Sequence, residues 1–158
     1  MGLTSREYVL KMLKVTAESL GAAYTKQTPN TLQLWVRENG APFIANISLS
    51  ESKTSINNNI DYVSFQLGLF FVVSTDYDIT EEDKTNQEND SSKLASEFLF
   101  LLKQNDQTMT VQNGSLDPIF REGGYLGLGI GGVFTISLPD KNDYCDIFCN
   151  TSINKIGC

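Results

Sequence analysis

Residues 60–75, IDYVSFQLGLFFVVST, limit the fold more than any other stretch of the chain. They form its longest apolar run. At strand spacing, Val63, Phe65, Leu67, Leu69, Phe71 and Val73 share one face. Phe70 and Val72 point to the other, so the second half requires cover on both sides. β-Branched and aromatic residues dominate, which favours strand over helix. Gly68 interrupts the run, and a glycine inside a strand marks a bulge or bend. Asp61, Ser64 and Gln66 make the first half polar, and the run is too short for a membrane-spanning helix. The expectation is the central strand of a twisted sheet, or two strands joined at a kink.

The rest of the chain supplies partners for that strand. Thr4 and Glu7 have the spacing of a capping box, and a helix is expected from about residue 5 to 20. Val9, Leu13, Thr16, Ala17 and Leu20 give it an apolar stripe, and Gly21 ends it. Residues 31–37 alternate, with Leu32, Leu34 and Val36 on one side and Trp35 on the other. Asn39 and Gly40 suit a type I′ hairpin turn, and Phe43, Ala45, Ile47 and Leu49 alternate again after it. This predicts a β-hairpin. Residues 50–59 hold little to bury and read as an exposed loop, as do the acidic residues 77–90. A second helix is expected from Asp90 or Ser91 to about Lys103, with Leu94, Ala95, Phe98, Leu99, Leu101 and Leu102 forming a broad apolar face. Residues 108–112 read as a short strand, Asn113 and Gly114 as a turn, residues 116–120 as a further single turn, and residues 133–138 as another strand. Residues 144–148 suit a last short strand, and an extended tail is expected from about 149. The chain thus predicts one α+β domain over 1–158: an antiparallel sheet of four or more strands with two helices packed on one face. Phe65, Leu67, Leu69, Phe71, Phe98 and Leu102 are the expected core.

Three features suggest chemistry, and none reaches a site. Residues 123–132, GGYLGLGIGG, hold six glycines. Gly127, Gly129 and Gly132 match G-x-G-x-x-G in form, but a strand comes next where a dinucleotide site needs a helix N-terminus. Close backbone approach, a bulge or a loop explains the glycines instead. Asp76, Asp78 and Thr80 resemble the start of a calcium loop that lacks its glycine and its closing glutamate. Cys145, Cys149 and Cys158 have the loose spacing C-x3-C-x8-C, for which reduced thiols are a simpler reading than zinc. The chain has no histidine. That removes Ser-His-Asp and Cys-His arrangements and the usual general base near neutral pH. The expectation is no catalytic group, no cofactor and no metal, hence not an enzyme.

Charge narrows the partners. Twelve Lys and Arg against nineteen Asp and Glu give a net charge of −7, which disfavours nucleic acid and anionic membrane surfaces alike. The N-terminal segment MGLTSREYVLKMLK has no apolar signal core, so no secretory leader is expected.

The order of expected elements—helix, hairpin, long strand, acidic loop, helix, strands—resembles the tail-terminator and head-tail joining proteins of tailed bacteriophages. The residues that carry the resemblance are FFVVSTDYD, SSKLASEFLFLLK and LDPIFREGGYLGLGIGGVFTISLPDKNDYC, within about residues 5–148. It implies a non-enzymatic ring subunit, often hexameric, of a virion neck or tail, made in the host cytoplasm, whose partners are further copies of itself and other neck or tail proteins. The Gly-rich segment and the cysteines depart from that pattern. Trp35, Tyr125, Leu126, Leu128 and Ile130 are the expected subunit or partner contacts, because they are apolar groups on a polar strand face or in a glycine-rich stretch. The alternative is a small α+β ligand- or peptide-binding module with the Gly-rich segment at its mouth.

Overall fold

A computed structural model describes residues 2–56, 60–75, 80–119, 128–141 and 144. Its elements are α1 (Ser5–Ser19), β1 (Ala23–Lys26), α2 (Pro29–Asn39), β2 (Phe43–Ile56), β3 (Ile60–Ser74), α3 (Glu81–Asn105), β4 (Thr110–Ile119) and β5 (Leu128–Pro139). They form an α+β fold around a five-stranded sheet of order β1-β2-β3-β5-β4. The long apolar run is β3, at the centre. Three of the four pairings are antiparallel, whereas β1 runs parallel to β2. A parallel pair needs a crossover, and α2 supplies it.

The helical crossover corrects the expected first hairpin. Residues 31–37 are helical because Thr28 caps the helix reciprocally with Thr31, Pro29 occupies the first turn, and Leu32 and Val36 recur one turn apart. Gly40, at φ 71°, comes after the helix in a backbone conformation that favours glycine. Leu34, placed inside by strand spacing, lies outside by helical spacing and is 60% exposed.

Two apolar clusters lie on opposite faces of the sheet. On the inner face, Tyr8, Val9, Met12, Leu13 and Ala17 of α1 and Leu94, Ala95, Phe98 and Leu102 of α3 share one cluster with Val63, Phe65, Leu67, Leu69 and Phe71 of β3 and Phe134, Ile136 and Leu138 of β5. Phe71 meets Phe98 and Phe134 edge-on at centroid distances of 5.6 and 5.9 Å. All six expected core residues are buried here, and each such side chain contributes about 1.5–3 kcal/mol. The outer cluster is small: Leu32 and Val36 of α2 against Phe43, Ala45 and Val72, with Trp35, Ile47 and Phe70 half-buried beside them. The expected division of β3, with Phe70 and Val72 facing away from the rest, is what the two clusters require.

The second half of β2 corrects the expected polar loop. A bulge between Asn46 and Ser48 shifts the register by one residue. Ile47 therefore stays with the outer cluster while Leu49 packs on the inner one. Gly68 lies opposite; a Cβ there would come within 2.6 Å of Ser48 Oγ and 3.1 Å of Ile47 Cγ1. The strand then continues to Ile56, because its alternation of Ser and Thr with Leu49, Glu51 and Lys53 is also a strand pattern.

The remaining corrections concern boundaries. α3 begins well before the expected Ser91, with Thr80 as its cap and Glu81 as its first residue. Thr80 and Asp83 form a capping box, and Glu81, Glu82 and Asp83 favour the positive end of the helix dipole. Its first turns bury almost nothing, which hid them from an apolar-stripe argument. Thr80 is therefore a helix cap, and Asp76 and Asp78 lie outside the described residues. β4 runs through the expected turns at 113–114 and 116–120 as far as Ile119, with a register shift between Asn113 and Leu116. β5 begins at Leu128, inside the Gly-rich segment. A Cβ on Gly129 would stand 2.3 Å from the Phe71 carbonyl oxygen, so close backbone approach is the reason for glycine there.

Residues near the start and end of the described chain meet under the sheet. Leu3 and Tyr144 form a single antiparallel bridge. Tyr144 stacks on Tyr8 at 4.4 Å, and Tyr8 Oη donates to Asp106 Oδ2 at 2.9 Å. Burial and the nearby Asp106 carboxylate push the Tyr8 phenol far above its ordinary range.

Candidate functional site

The helices do not cover the sheet evenly, and what they leave open is the candidate site. α2 reaches only the outer residues at the start of β2 and the end of β3. Beyond it, residues that share a face through the strand register make a belt of hydroxyls and amides: Ser50 and Ser52 of β2, Ser64 and Gln66 of β3, Thr135 and Ser137 of β5, and Gln112 of β4. The hydroxyls of Ser64 and Ser137 stand 2.7 Å apart. These positions are exposed or half-buried, and none of them is charged. Val133, 50% exposed, sits opposite Gly68 within the belt.

Among the described residues, the strand edge beside this belt is unpaired as well. β1 pairs with β2 only from Phe43 to Asn46. Gln27 N donates to Asn46 O at 3.0 Å and closes that ladder. From Ser48 to Thr54, no described residue pairs with β2 on the side away from β3. Glu51 and Lys53 lie on the inner side of this edge, in register with buried Val63 and Phe65. Glu51 meets Arg6 at 3.5 Å and Lys53 meets Asp140 at 3.0 Å. The Lys53 ammonium and the Ser5 hydroxyl hold the Asp140 carboxyl below its ordinary range, and Asp140 in turn raises Lys53. Ser5 Oγ donates to Asp140 Oδ1 at 2.9 Å and accepts from Lys141 N at 3.0 Å. These groups tie α1 to the end of the sheet.

The expected contact residues do not gather at one place. Trp35 is half-buried in α2, edge-on to Phe43 at 5.5 Å, so it helps close the outer cluster. Ile130 is 5% exposed and belongs to the inner core, which corrects its placement as an exposed apolar group. Leu128 opens β5 opposite Ser74. Tyr125 and Leu126 lie outside the described residues, as do Cys145, Cys149 and Cys158. The large apolar side chains that are exposed include Leu34, Phe100 and Val133, none of them expected. The open edge was missed too, although its period-two alternation, SLSESKT, was visible as a signal.

Other places offer less. A shallow depression lined by Asn89, Ser92, Lys93, Ser96 and Glu97 lies along α3 alone and is open to solvent. Among the described residues, no group of three or more Cys, Asp and Glu is placed to hold a metal ion. No described helix is long and apolar enough to cross a membrane. Compared with known families and with curated proteins, the chain matches no family model and no curated relative.

Proposed function

We propose that the chain is a non-enzymatic structural subunit that works by assembling through its sheet, in a ring of the neck or tail of a tailed-phage virion. The observation that carries the first part is the contrast within one sheet. Residues of α1 and α3 share the large cluster with the inner side chains of the sheet. Among the described residues, α2 alone adds a small cluster on the outer face, and nothing pairs with the far half of β2 away from β3. A sheet with an unpaired edge is a template for another strand. The phage assignment rests on the sequence resemblance. The stretch from β3 through α3 to β5 keeps the order expected of those proteins. Residues 23–56 depart from it, since α2 stands where the first hairpin strand was expected.

The partners on this reading are further copies of the chain and other neck or tail proteins. Mass spectrometry of purified virions tests it, together with negative-stain microscopy of the purified chain. The chain is expected among virion components, and closed rings are expected at high protein concentration. Absence from the particle would sink the virion reading. The hydroxyl belt favours a second reading, a peptide- or ligand-binding module, because uncharged donors and acceptors on a firm sheet suit polar recognition. Capture of a ligand by a chain absent from virions would favour that one.

A further inference from the structure

We infer that the free edge of β2 pairs antiparallel with the same edge of a second copy of this chain, about a two-fold axis at Ser52. This goes beyond the virion reading and does not depend on it.

The sheet has two long edges: β2 carries the charges Glu51 and Lys53 on its inner side but an unbroken backbone, whereas β4 is interrupted in the backbone itself. β4 has Pro118, which offers no backbone donor, and a register shift between Asn113 and Leu116; both are devices that blunt an edge. The free part of β2 has no proline, and its bulge lies before Ser48. From Ser48 onward β2 is a regular strand, paired with β3 residue by residue to Ile56.

The side chains along that edge complement a reversed copy of themselves. Centred on Ser52, antiparallel pairing sets Glu51 opposite Lys53 of the second copy, and Lys53 opposite its Glu51. It also sets Ser50 opposite Thr54. Register with β3 puts both charges on the inner side and these hydroxyls on the outer side. Opposite charges and hydroxyl pairs directly across an antiparallel ladder are stabilising, and like charges are destabilising. A register displaced by two residues would lose both charge matches. The contact is isologous, so by itself it stops at two copies. A ring would need a second, different contact.

The test is charge exchange, read by light scattering and sedimentation on the full chain at low salt. The wild-type chain should dimerise. Glu51→Lys and Lys53→Glu each place like charges opposite one another twice per dimer, and each should weaken self-association by about tenfold or more. An equimolar mixture of the two variants should restore the dimer, because each then meets its complement. Thermal melts separate this from damage to the fold. Both changes disturb the contacts to Arg6 and Asp140 within the chain, and mixing cannot repair those. A wild-type chain that stays monomeric at high concentration would overturn the proposal. So would a dimer indifferent to the exchange, or a mixture no better associated than its components. Rings that form and ignore both substitutions would leave the virion reading standing while removing this one.

Discussion

The two faces of the sheet are built from the same strands and do different work. On the inner face side chains of α1 and α3 share one cluster with those of β3 and β5, and most of the largest fully buried side chains are there. On the outer face α2 covers one corner through a small cluster, and the rest of the face is a hydroxyl and amide belt. Alternation along β3 makes this possible: one set of side chains is apolar from Val63 to Val73, while the other carries Ser64, Gln66 and Gly68 before Phe70 and Val72. Most of the buried apolar side chains belong to the inner cluster.

The comparison breaks most easily at its strong side. Phe98→Ala empties a site between Phe71 and the rest of the inner cluster, and denaturant unfolding should register a loss of about 3–5 kcal/mol. An unchanged midpoint would mean that the inner face does not carry the stability. Leu32→Ala in the smaller outer cluster should cost nearer to about 2 kcal/mol, with less surrounding structure to lose. If it equalled Phe98→Ala, the two faces would be energetically alike. Thr28→Ala removes the cap of α2 and should cost about 1 kcal/mol, checked by the same unfolding curve. Val133→Thr on the open belt should change stability by less than about 0.5 kcal/mol; a larger loss would mean that the belt is packed.

The smallest expected effect is with acid. The folded state holds the Asp140 carboxyl below its ordinary range, so the unfolded chain takes up that proton first. The resulting stabilisation is present above about pH 4 and is lost as pH falls through the lowered folded value. Asp140 is partly exposed, so the effect is screened and small. Asp140→Asn and the parent chain, compared from about pH 2 to about pH 6 across the carboxylate range, should show stability curves that converge at the acid end. Parallel curves would remove the Lys53 and Asp140 contact from the account of how α1 is anchored.

Legibility in the sequence tracked apolar patterning. β3 and its two faces, the capping box of α1 and the buried face of α3 could all be read, because each is written in side chains that must leave water. α2 was hidden because Leu32 and Val36 fit strand and helix spacing equally. The deciding signals were Thr28 and Pro29 before it and Gly40 after it, and Asn39 with Gly40 imitates a hairpin turn. The second half of β2 and the first turns of α3 were hidden for the opposite reason. They are polar elements held by a ladder and by a cap, and composition alone makes them look like loops. Of the candidate site, Val133 and the edge residues Ser48–Thr54 could not be found by looking for apolar groups in a glycine-rich stretch. Gly129 serves close packing of β5 against β3, and Ile130 beside it is core.

Amide hydrogen exchange of the full chain at low and at high protein concentration tests most directly whether the open side is the associating side. Pairing along β2 predicts that amides within residues 48–54 become protected as concentration rises, while those of α1 and α3 stay as they were. Unchanged exchange across 48–54, with new protection on α1 or α3 instead, would contradict it.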